Sequence, residues 1–311
     1  MKARLRDFIE TWDDWIFSVV DYHNEDGVHC LLRYIASPEG ERVRNGVRYK
    51  KMGFDEAYEF IRQRRPDYIK GVMVVPNDDV YRHYEPDKGL RGILDSDHPD
   101  ARVKKMVKAL DGVPPADMGI TGSKLVGLGG ETSDVDFIVY GNSWFRARDL
   151  LQKAIAEGRI DGVCGIDEPG WKKIYAKRKP ELSFDEFYVH ERRKGNRCLL
   201  DGVLTDLLFV RSWDQIGPKV PVGRDLGMRT ITAKVTGAEF AFDSPAIYEV
   251  EHPEIRRVLS FTHTYAGQAQ AGETIEARGR LEETPEGKNL VIGTSREPKG
   301  EWIKSLTLLG Q

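Results

Sequence analysis

The sequence predicts an α+β protein in which strands and helices follow one another through a central core region. An N-terminal α/β region precedes this core, and a small β barrel follows it. Two observations support this fold class: strand-like apolar runs alternate with helical spacing over most of the chain, whereas the C-terminal part alternates apolar and polar residues. At about 150 residues per domain, the 311 residues are sufficient for two or three domains.

The N-terminal region covers residues 1–91. Apolar, β-branched runs at residues 15–20 and 28–35 flank a turn cluster, which predicts a β-hairpin. Apolar side chains at helical spacing predict a helix over residues 54–61, and a run of hydrophobic residues predicts a further strand at 71–75.

The core region covers residues 92–216. Apolar side chains at helical spacing predict a helix over residues 103–110, and a nearly continuous apolar run predicts a strand at 135–140. Two further strands are predicted at residues 184–190 and 199–210.

The C-terminal region covers residues 224–311 and follows a linker at 217–223. Apolar residues at every second position around 231–235 and 275–281 predict the strands of a small closed or partly closed β barrel. A helix over residues 253–261 is expected to cap the barrel.

Composition excludes several classes of protein. The chain has 47 Lys and Arg residues and 50 Asp and Glu residues. The resulting net charge of -3 excludes a globally basic nucleic-acid-binding surface. No apolar run reaches the ~18 residues of a membrane helix, and the N-terminus lacks the features of a signal peptide. The three cysteines are scattered and form no C-x-x-C pair, so neither a disulfide nor a zinc site is predicted. A cytoplasmic location is therefore expected.

Asp134 and Asp136 stand at the start of an apolar strand. Side chains alternate along a strand, so both carboxylates point to one face, about 6.5 Å apart. They repel each other unless a cation lies between them. Hard divalent cations such as Mg²⁺ prefer oxygen ligands, so the pair predicts a site for Mg²⁺ or Mn²⁺. The alternative is a turn with solvated acids.

Gly122 and Ser123 precede these acids. A glycine lets the backbone approach a phosphate closely, and a serine hydroxyl can donate to it. Lys124 adds a positive charge for the phosphates of a nucleotide. A metal site beside a phosphate-binding loop is typical of phosphoryl or nucleotidyl transfer. An ordinary loop ahead of a helix is the alternative.

Asp206 is the best candidate for a third catalytic carboxylate. It lies inside an apolar run, where a lone carboxylate would be costly to desolvate without a partner. In this role it would complete the metal coordination and accept the proton of the attacking hydroxyl. Asp201, beside Gly202, is the second choice and is more typical of a turn. A structural carboxylate bonded to the backbone is the alternative for Asp206.

The Gly-Ser pair, followed after ten residues by an Asp-x-Asp strand, resembles the signature of the DNA polymerase beta-like nucleotidyltransferase superfamily. The whole chain resembles a group of predicted archaeal nucleotidyltransferases. This resemblance implies a nucleotidyltransferase-type mixed sheet, a nucleoside triphosphate (NTP) substrate and Mg²⁺ or Mn²⁺. It implies the following site residues: Asp134, Asp136 and Asp206 as catalytic metal ligands, with Gly122, Ser123 and Ser133 on the nucleotide.

Residues 171–197 are locally basic, with nine Lys and Arg against four Asp and Glu and with aromatic residues interleaved. One interpretation is a triphosphate or nucleic-acid surface with stacking aromatics, in which Arg192 and Arg193 bind the nucleotide. The other is a solvated hairpin with its own core. The second basic cluster, between residues 42 and 51, is expected to be solvated.

These patterns predict a metal-dependent enzyme that moves a nucleoside monophosphate from an NTP to an acceptor hydroxyl and releases pyrophosphate. RNA, DNA, a protein side chain and a small alcohol all fit as acceptors, because a fold does not name its substrate. The alternative is a non-catalytic RNA-binding module, in which the barrel and the basic segment carry the function. Dinucleotide-binding and Walker loops are excluded because residues 127–130 lack their spacing, and a hydrolase nucleophile elbow is missing.

Overall fold

The computed structural model describes residues 1–293 and 299–311. Within these residues, no helix has both the length and the apolar surface that crossing a membrane requires. The cysteines are free thiols, of which Cys30 and Cys198 are buried and Cys164 is exposed.

The contacts within the chain divide it into two compact units. The first unit comprises Met1–Gly165 and Asn196–Gly217, and the second comprises Ile166–Gly195 and Pro218–Gln311. This division differs from the three predicted regions in two ways. The N-terminal region and the core share one unit, and the basic segment before the last core strands belongs to the second unit.

An eight-stranded sheet forms the N-terminal part of the first unit, and two helices accompany it. Its strands are β1 (Phe8–Thr11), β2 (Ile16–Val19), β3 (Val28–Ala36), β4 (Arg42–Arg44), β5 (Val47–Lys51), β6 (Ile69–Lys70), β7 (Val72–Val75) and β8 (Val80–Tyr84). The helices are α1 (Phe54–Arg64) and α2 (Pro86–Leu94). The strand order is β4-β5-β3-β2-β1-β8, and β7 pairs with β3 and β6. The antiparallel pairing of β2 with β3 confirms the predicted hairpin.

A five-stranded mixed sheet forms the rest of the first unit. Its strands are β9 (Met118–Thr121), β10 (Val135–Tyr140), β11 (Val163–Cys164), β12 (Arg197–Leu200) and β13 (Val203–Val210). The helices are α3 (Ala101–Ala109), α4 (Gly122–Leu125) and α5 (Ser143–Ala156). The order is β11-β12-β13-β10-β9, with β10 and β13 parallel. The predicted strand at 199–210 is therefore two antiparallel strands, because Asp201 and Gly202 adopt positive φ and form a turn.

The central strand β10 is buried on both faces, as its apolar sequence predicts. Ile138 and Tyr140 lie on the same face of the strand as Asp136. They pack in one cluster with Leu5 and Tyr22 of the N-terminal region. The face of the central sheet that carries the acid is thus covered by the N-terminal region, which explains why the two form one unit.

The second unit contains two helices, α6 (Glu168–Arg178) and α7 (Phe184–Lys194). Its strands are β14 (Arg224–Gly237), β15 (Ala246–Glu251), β16 (Ile255–Ser260), β17 (Thr274–Thr284), β18 (Gly287–Ile292) and β19 (Trp302–Ser305), followed by α8 (Leu306–Leu309). The pairing order is β14-β15-β16-β18-β17-β19, and β14 also pairs with β17. Strands β16 and β18 are parallel.

Two sequence-based predictions for the second unit are wrong. Residues 184–190 form a helix because Ser183 and Glu186 make a capping box at its start. Residues 253–261 contain β16, whose Val258 and Leu259 are buried between β15 and β18. Short apolar runs fit either a buried strand or a buried helix, so tertiary pairing decides between them.

Candidate active site

Three aspartates meet at one edge of the central sheet. Asp136 in β10 lies directly opposite Asp206 in β13 in the parallel pairing of the two strands. Neighbouring strands are about 4.8 Å apart and paired residues point to the same face. Asp134 lies two residues earlier, just ahead of β10, and is exposed. The late aspartate is therefore beside the Asp-x-Asp pair and not on the far side of the sheet.

The electrostatics of Asp136 reflect this crowding. The pKa of its carboxyl is raised to about 6, chiefly by burial and also by the nearby charges of Asp206 and Asp134. The positive charges of Arg6 and Arg33 oppose this shift. Asp136 and Asp206 are thus close enough to repel each other, as a pair of carboxylates does without a cation between them.

Asp206 is held by an arginine from the neighbouring strand. Arg197 in β12 is paired in register with Asp206, and its Nε donates to Asp206 Oδ1. Only 3% of the Arg197 side chain is exposed, so this ion pair lies largely outside water. Asp201, the second-choice acid, instead forms an ion pair with Lys105 at the turn between β12 and β13.

The donor set at this edge fits a hard divalent cation in part. The carboxylates of Asp134 and Asp136 supply the oxygen ligands that Mg²⁺ prefers, and neither accepts a hydrogen bond from the described residues. No group of three His, Cys, Asp or Glu residues in that part of the chain is arranged to hold a metal. The ion pair between Asp206 and Arg197 agrees with this absence, because Asp206 Oδ1 already has a partner.

Gly122 and Ser123 lie against the acids. Strand β9 ends at Thr121, which pairs with Asp136 in β10, so the next residue begins beside the carboxylate. Gly122 has a φ of +69°, and a Cβ at this position would overlap Asp136 Oδ2. Glycine is therefore required here for both backbone conformation and space. Ser123 follows and lines the same cavity as Asp134 and Asp136.

Lys124 and Ser133, both predicted to bind the nucleotide, make structural contacts. Lys124 forms an ion pair with Asp100, the N-cap residue of α3. The hydroxyl of Ser133 accepts hydrogen bonds from Gly130 N and from Arg42 Nη1, each at 2.9 Å. These contacts fix the loop that carries Asp134.

The acids face a cavity of 180 Å³ whose other wall comes from the N-terminal sheet. Three cations on this wall, Arg33, Arg42 and Lys51, were missed by the sequence-based reasoning, which expected the basic cluster at 42–51 to be solvated. The lining residues are Phe8, Arg33, Tyr34, Arg42, Lys51, Gly122, Ser123, Thr132, Ser133, Asp134 and Asp136. One signal was present in the sequence: Arg33 is a charged residue within a mostly apolar strand.

Arg192 and Arg193 belong to the second unit and are engaged there. Arg193 forms an ion pair with Glu273 and donates to the carbonyl oxygen of Gln268 at 2.6 Å. The guanidinium of Arg192 lies 5.5 Å from the ring centroid of Tyr188. Their role on the nucleotide stays a prediction.

The aromatic residues of the basic segment form a core and not a stacking surface. Trp171 and Phe187 are buried, with ring centroids 6.3 Å apart. Tyr175 packs against Phe187 at 5.3 Å, and both belong to the main apolar cluster of the second unit. Of the two interpretations of residues 171–197, the solvated hairpin with its own core agrees with the structure in its core, but helices α6 and α7 stand in place of the hairpin.

Comparison with known proteins identifies the chain. The nucleotidyltransferase domain family matches residues 101–178, a stretch that contains Gly122, Ser123, Asp134 and Asp136. The uncharacterized protein MJ1086 of Methanocaldococcus jannaschii is 36% identical over 98% of this chain and 99% of its own length. This chain is a member of the nucleotidyltransferase superfamily. It belongs to the same family as the archaeal protein.

The match of this nucleotidyltransferase to the domain family indicates nucleotidyl transfer as its general function. The matched stretch ends before β13, so Asp206 lies outside it, as does the N-terminal sheet that lines the cavity. No solved structure matches the chain.

Proposed function

We propose that this nucleotidyltransferase is a metal-dependent enzyme that moves a nucleoside monophosphate from an NTP to an acceptor hydroxyl. The observation that carries the proposal is the register of Asp136 with Asp206, beside the cavity that Gly122 and Ser123 line. Asp134 and Asp136, with Asp206 beside them, suit metal-dependent nucleotidyl transfer, which needs oxygen ligands and a phosphate-binding loop.

The chemistry assigned to these residues is a displacement at the α-phosphorus. The acceptor oxygen forms a bond to the α-phosphorus, and the bond from that phosphorus to the bridging oxygen breaks, so its electron pair leaves with pyrophosphate. We assign the proton of the acceptor hydroxyl to Asp206. Mg²⁺ or Mn²⁺ held by Asp134 and Asp136 would activate the hydroxyl and stabilise the negative charge that develops on the phosphates. Ser123 would donate its hydroxyl to a phosphate oxygen.

The test is transfer of label from each of the four α-labelled NTPs, with Mg²⁺ or Mn²⁺, to RNA, DNA, protein and small-alcohol acceptors. We expect transfer by the wild type and none by a double variant that combines Asp134→Ala with Asp136→Ala. Asp201→Asn is the matched control, because Asp201 is a nearby carboxylate at a turn and asparagine tolerates its positive φ. Equal transfer by the wild type and the double variant would reject the proposal.

A second candidate is a non-catalytic RNA-binding module. It is favoured by the strand pairing of the second unit. Strand β14 pairs with β15 and also with β17, and a sheet whose first strand pairs with a later one supports the predicted small β barrel. Small five-stranded barrels bind oligonucleotides on their strand faces. This candidate requires RNA binding that falls steeply with salt and is unchanged by Asp134→Ala, Asp136→Ala and chelation of divalent ions, together with no transfer by the wild type.

A further inference from the structure

Two cations of the N-terminal sheet line the cavity that the acids face. Arg33 and Lys51 line it together with Asp134 and Asp136. Neither side chain makes a hydrogen bond or an ion pair with any residue in the described part of the chain. An arginine or lysine that holds no protein partner while facing a cavity is available for an anionic ligand.

The backbone of β3 is shaped to aim Arg33 into the cavity. Strand β2 pairs with β3 so that Phe17 lies opposite Leu32 and Ile16 lies opposite Tyr34. Arg33 is therefore the extra residue of a β-bulge. A bulge breaks the alternation of side chains along a strand and re-aims one of them. This is why Arg33 and Tyr34, although consecutive, line the same cavity.

Lys51 reaches the cavity from the end of β5, where it pairs in register with Tyr34. Burial and the charges of Arg33 and Arg42 lower its pKa, whereas Asp134 and Asp136 raise it. The cations are thus close enough to repel one another, and the acids close enough to offset part of that repulsion. Arg42 differs from the other two because its guanidinium already donates to Leu128 O and to Ser133 Oγ.

The size of the cavity indicates which part of a nucleotide it holds. Its 180 Å³ is below the about 300–1,000 Å³ of sites that enclose a drug-sized ligand. Acids from the central sheet and cations from the N-terminal sheet both line it, together with Ser123. A chain of phosphates with a divalent cation matches this division of charge, and the base and sugar would lie outside.

We propose that Arg33 and Lys51 bind the β- and γ-phosphates of the NTP and hold the pyrophosphate after transfer. This inference rests on the proposed function. It assigns part of the substrate site to the N-terminal sheet, outside the matched nucleotidyltransferase domain. An alternative role, in which the two cations only balance the charge of Asp134 and Asp136, predicts lower stability without a change in triphosphate affinity.

Equilibrium dialysis of the full chain with labelled NTP, NDP and NMP in the presence of Mg²⁺ tests this assignment, because it does not require turnover. We expect Arg33→Gln and Lys51→Gln each to weaken NTP binding about 10- to 100-fold, the effect of losing one charge-assisted hydrogen bond, and to leave NMP binding nearly unchanged. Arg33→Lys, which keeps the charge, should restore most of the affinity. Lys50→Gln is the matched control, because Lys50 is next in sequence but pairs with Glu56 at 2.6 Å.

The outcomes separate this inference from the proposed function. A wild type that binds no NTP and transfers no label overturns both. Wild-type transfer that is abolished by Asp136→Asn, together with unchanged NTP affinity in Arg33→Gln and Lys51→Gln, overturns the phosphate assignment alone. Equal losses of NTP and NMP affinity would also overturn it, since they indicate a distorted site. Thermal unfolding of each variant detects loss of the fold. If Arg33→Gln is unfolded, the NTP affinity of Arg33→Lys tests the phosphate assignment instead.

Discussion

The carboxylate of Asp136 occupies the space that a side chain on Gly122 would need. The two residues come from neighbouring strands, since Thr121 at the end of β9 pairs with Asp136 in β10. The loop that begins at Gly122 and the strand that carries Asp136 are therefore positioned by one contact, and a displacement of either residue is expected to displace the other.

We expect Gly122→Ala to lower nucleotidyl transfer about 100-fold, because a displacement of about 1 Å in a catalytic group has an effect of this size. The positive φ alone destabilises a non-glycine residue by roughly 1–2 kcal/mol. Gly158→Ala separates the two effects, since Gly158 also has a positive φ but no atom near its Cβ position. It should lose stability and keep its activity; equal activity losses in the two variants would contradict the steric explanation.

Removal of the guanidinium from Arg197 should destabilise the first unit strongly. The ion pair with Asp206 is nearly buried, and removing one partner of such a pair lowers the free energy of unfolding by about 3–5 kcal/mol. Urea unfolding of Arg197→Ala, Asp206→Ala and the double variant measures this. The double variant should lose less stability than the sum of the single variants.

The exposed pair of Arg224 and Glu283 is the control for this cycle. Arg224→Ala should leave unfolding unchanged within error, because solvent screens such pairs. Strictly additive losses at Arg197 and Asp206 would show that the two residues stabilise the fold independently.

The second unit should lose stability in mild acid because of His190. The pKa of this imidazole is lowered to about 4. Burial is the largest cause and the positive charges of Lys194 and Arg193 add to it, whereas the hydrogen bond to Glu186 O and the charge of Glu273 oppose the shift. The neutral ring is thus favoured in the folded state. The stability that His190 contributes is fully present above the pKa of histidine in the unfolded chain, about 6.5. It is lost as the pH falls toward the folded-state pKa of about 4.

Between pH 6.5 and 5 this linkage amounts to about 2 kcal/mol of the free energy of unfolding. Chemical denaturation of the wild type at these two values, compared with His190→Gln, measures it. The variant should be less stable at pH 7, because His190 Nε2 accepts a hydrogen bond from Ser305 N, and its stability should change less with pH. An equal pH dependence in both proteins would assign the effect to other groups.

Arg42→Ala should loosen the loop that carries Asp134. The guanidinium of Arg42 donates to Leu128 O at 2.7 Å and to Ser133 Oγ, and it ties this loop to the N-terminal sheet. We expect faster amide hydrogen exchange over residues 127–134 and a lower kcat. Arg48→Ala is the matched control, since Arg48 donates to Gly40 O nearby. Exchange in this loop that is the same in both variants would show that Arg42 does not hold it.

Short-range spacing determined much of the candidate site. Asp134 and Asp136 could be placed on one face of a strand because a separation of two residues sets side-chain direction wherever the strand lies. Asp206 could be singled out because a carboxylate in an apolar run needs a partner. The sequence could also predict that Gly122 and Ser123 precede this strand, since that relation is one of chain order.

Only the tertiary structure decided what these residues face. The bulge at Arg33 depends on the register between β2 and β3, and no local pattern encodes a register shift. Lys51 reaches the acids because the N-terminal sheet covers the same face of β10 that carries Asp136, a packing contact between distant parts of the chain. Residues 184–190 are a helix and not a strand because capping and burial outweigh an ambiguous apolar period. Local sequence therefore set the acids and the loop, whereas long-range packing set the cations that oppose them.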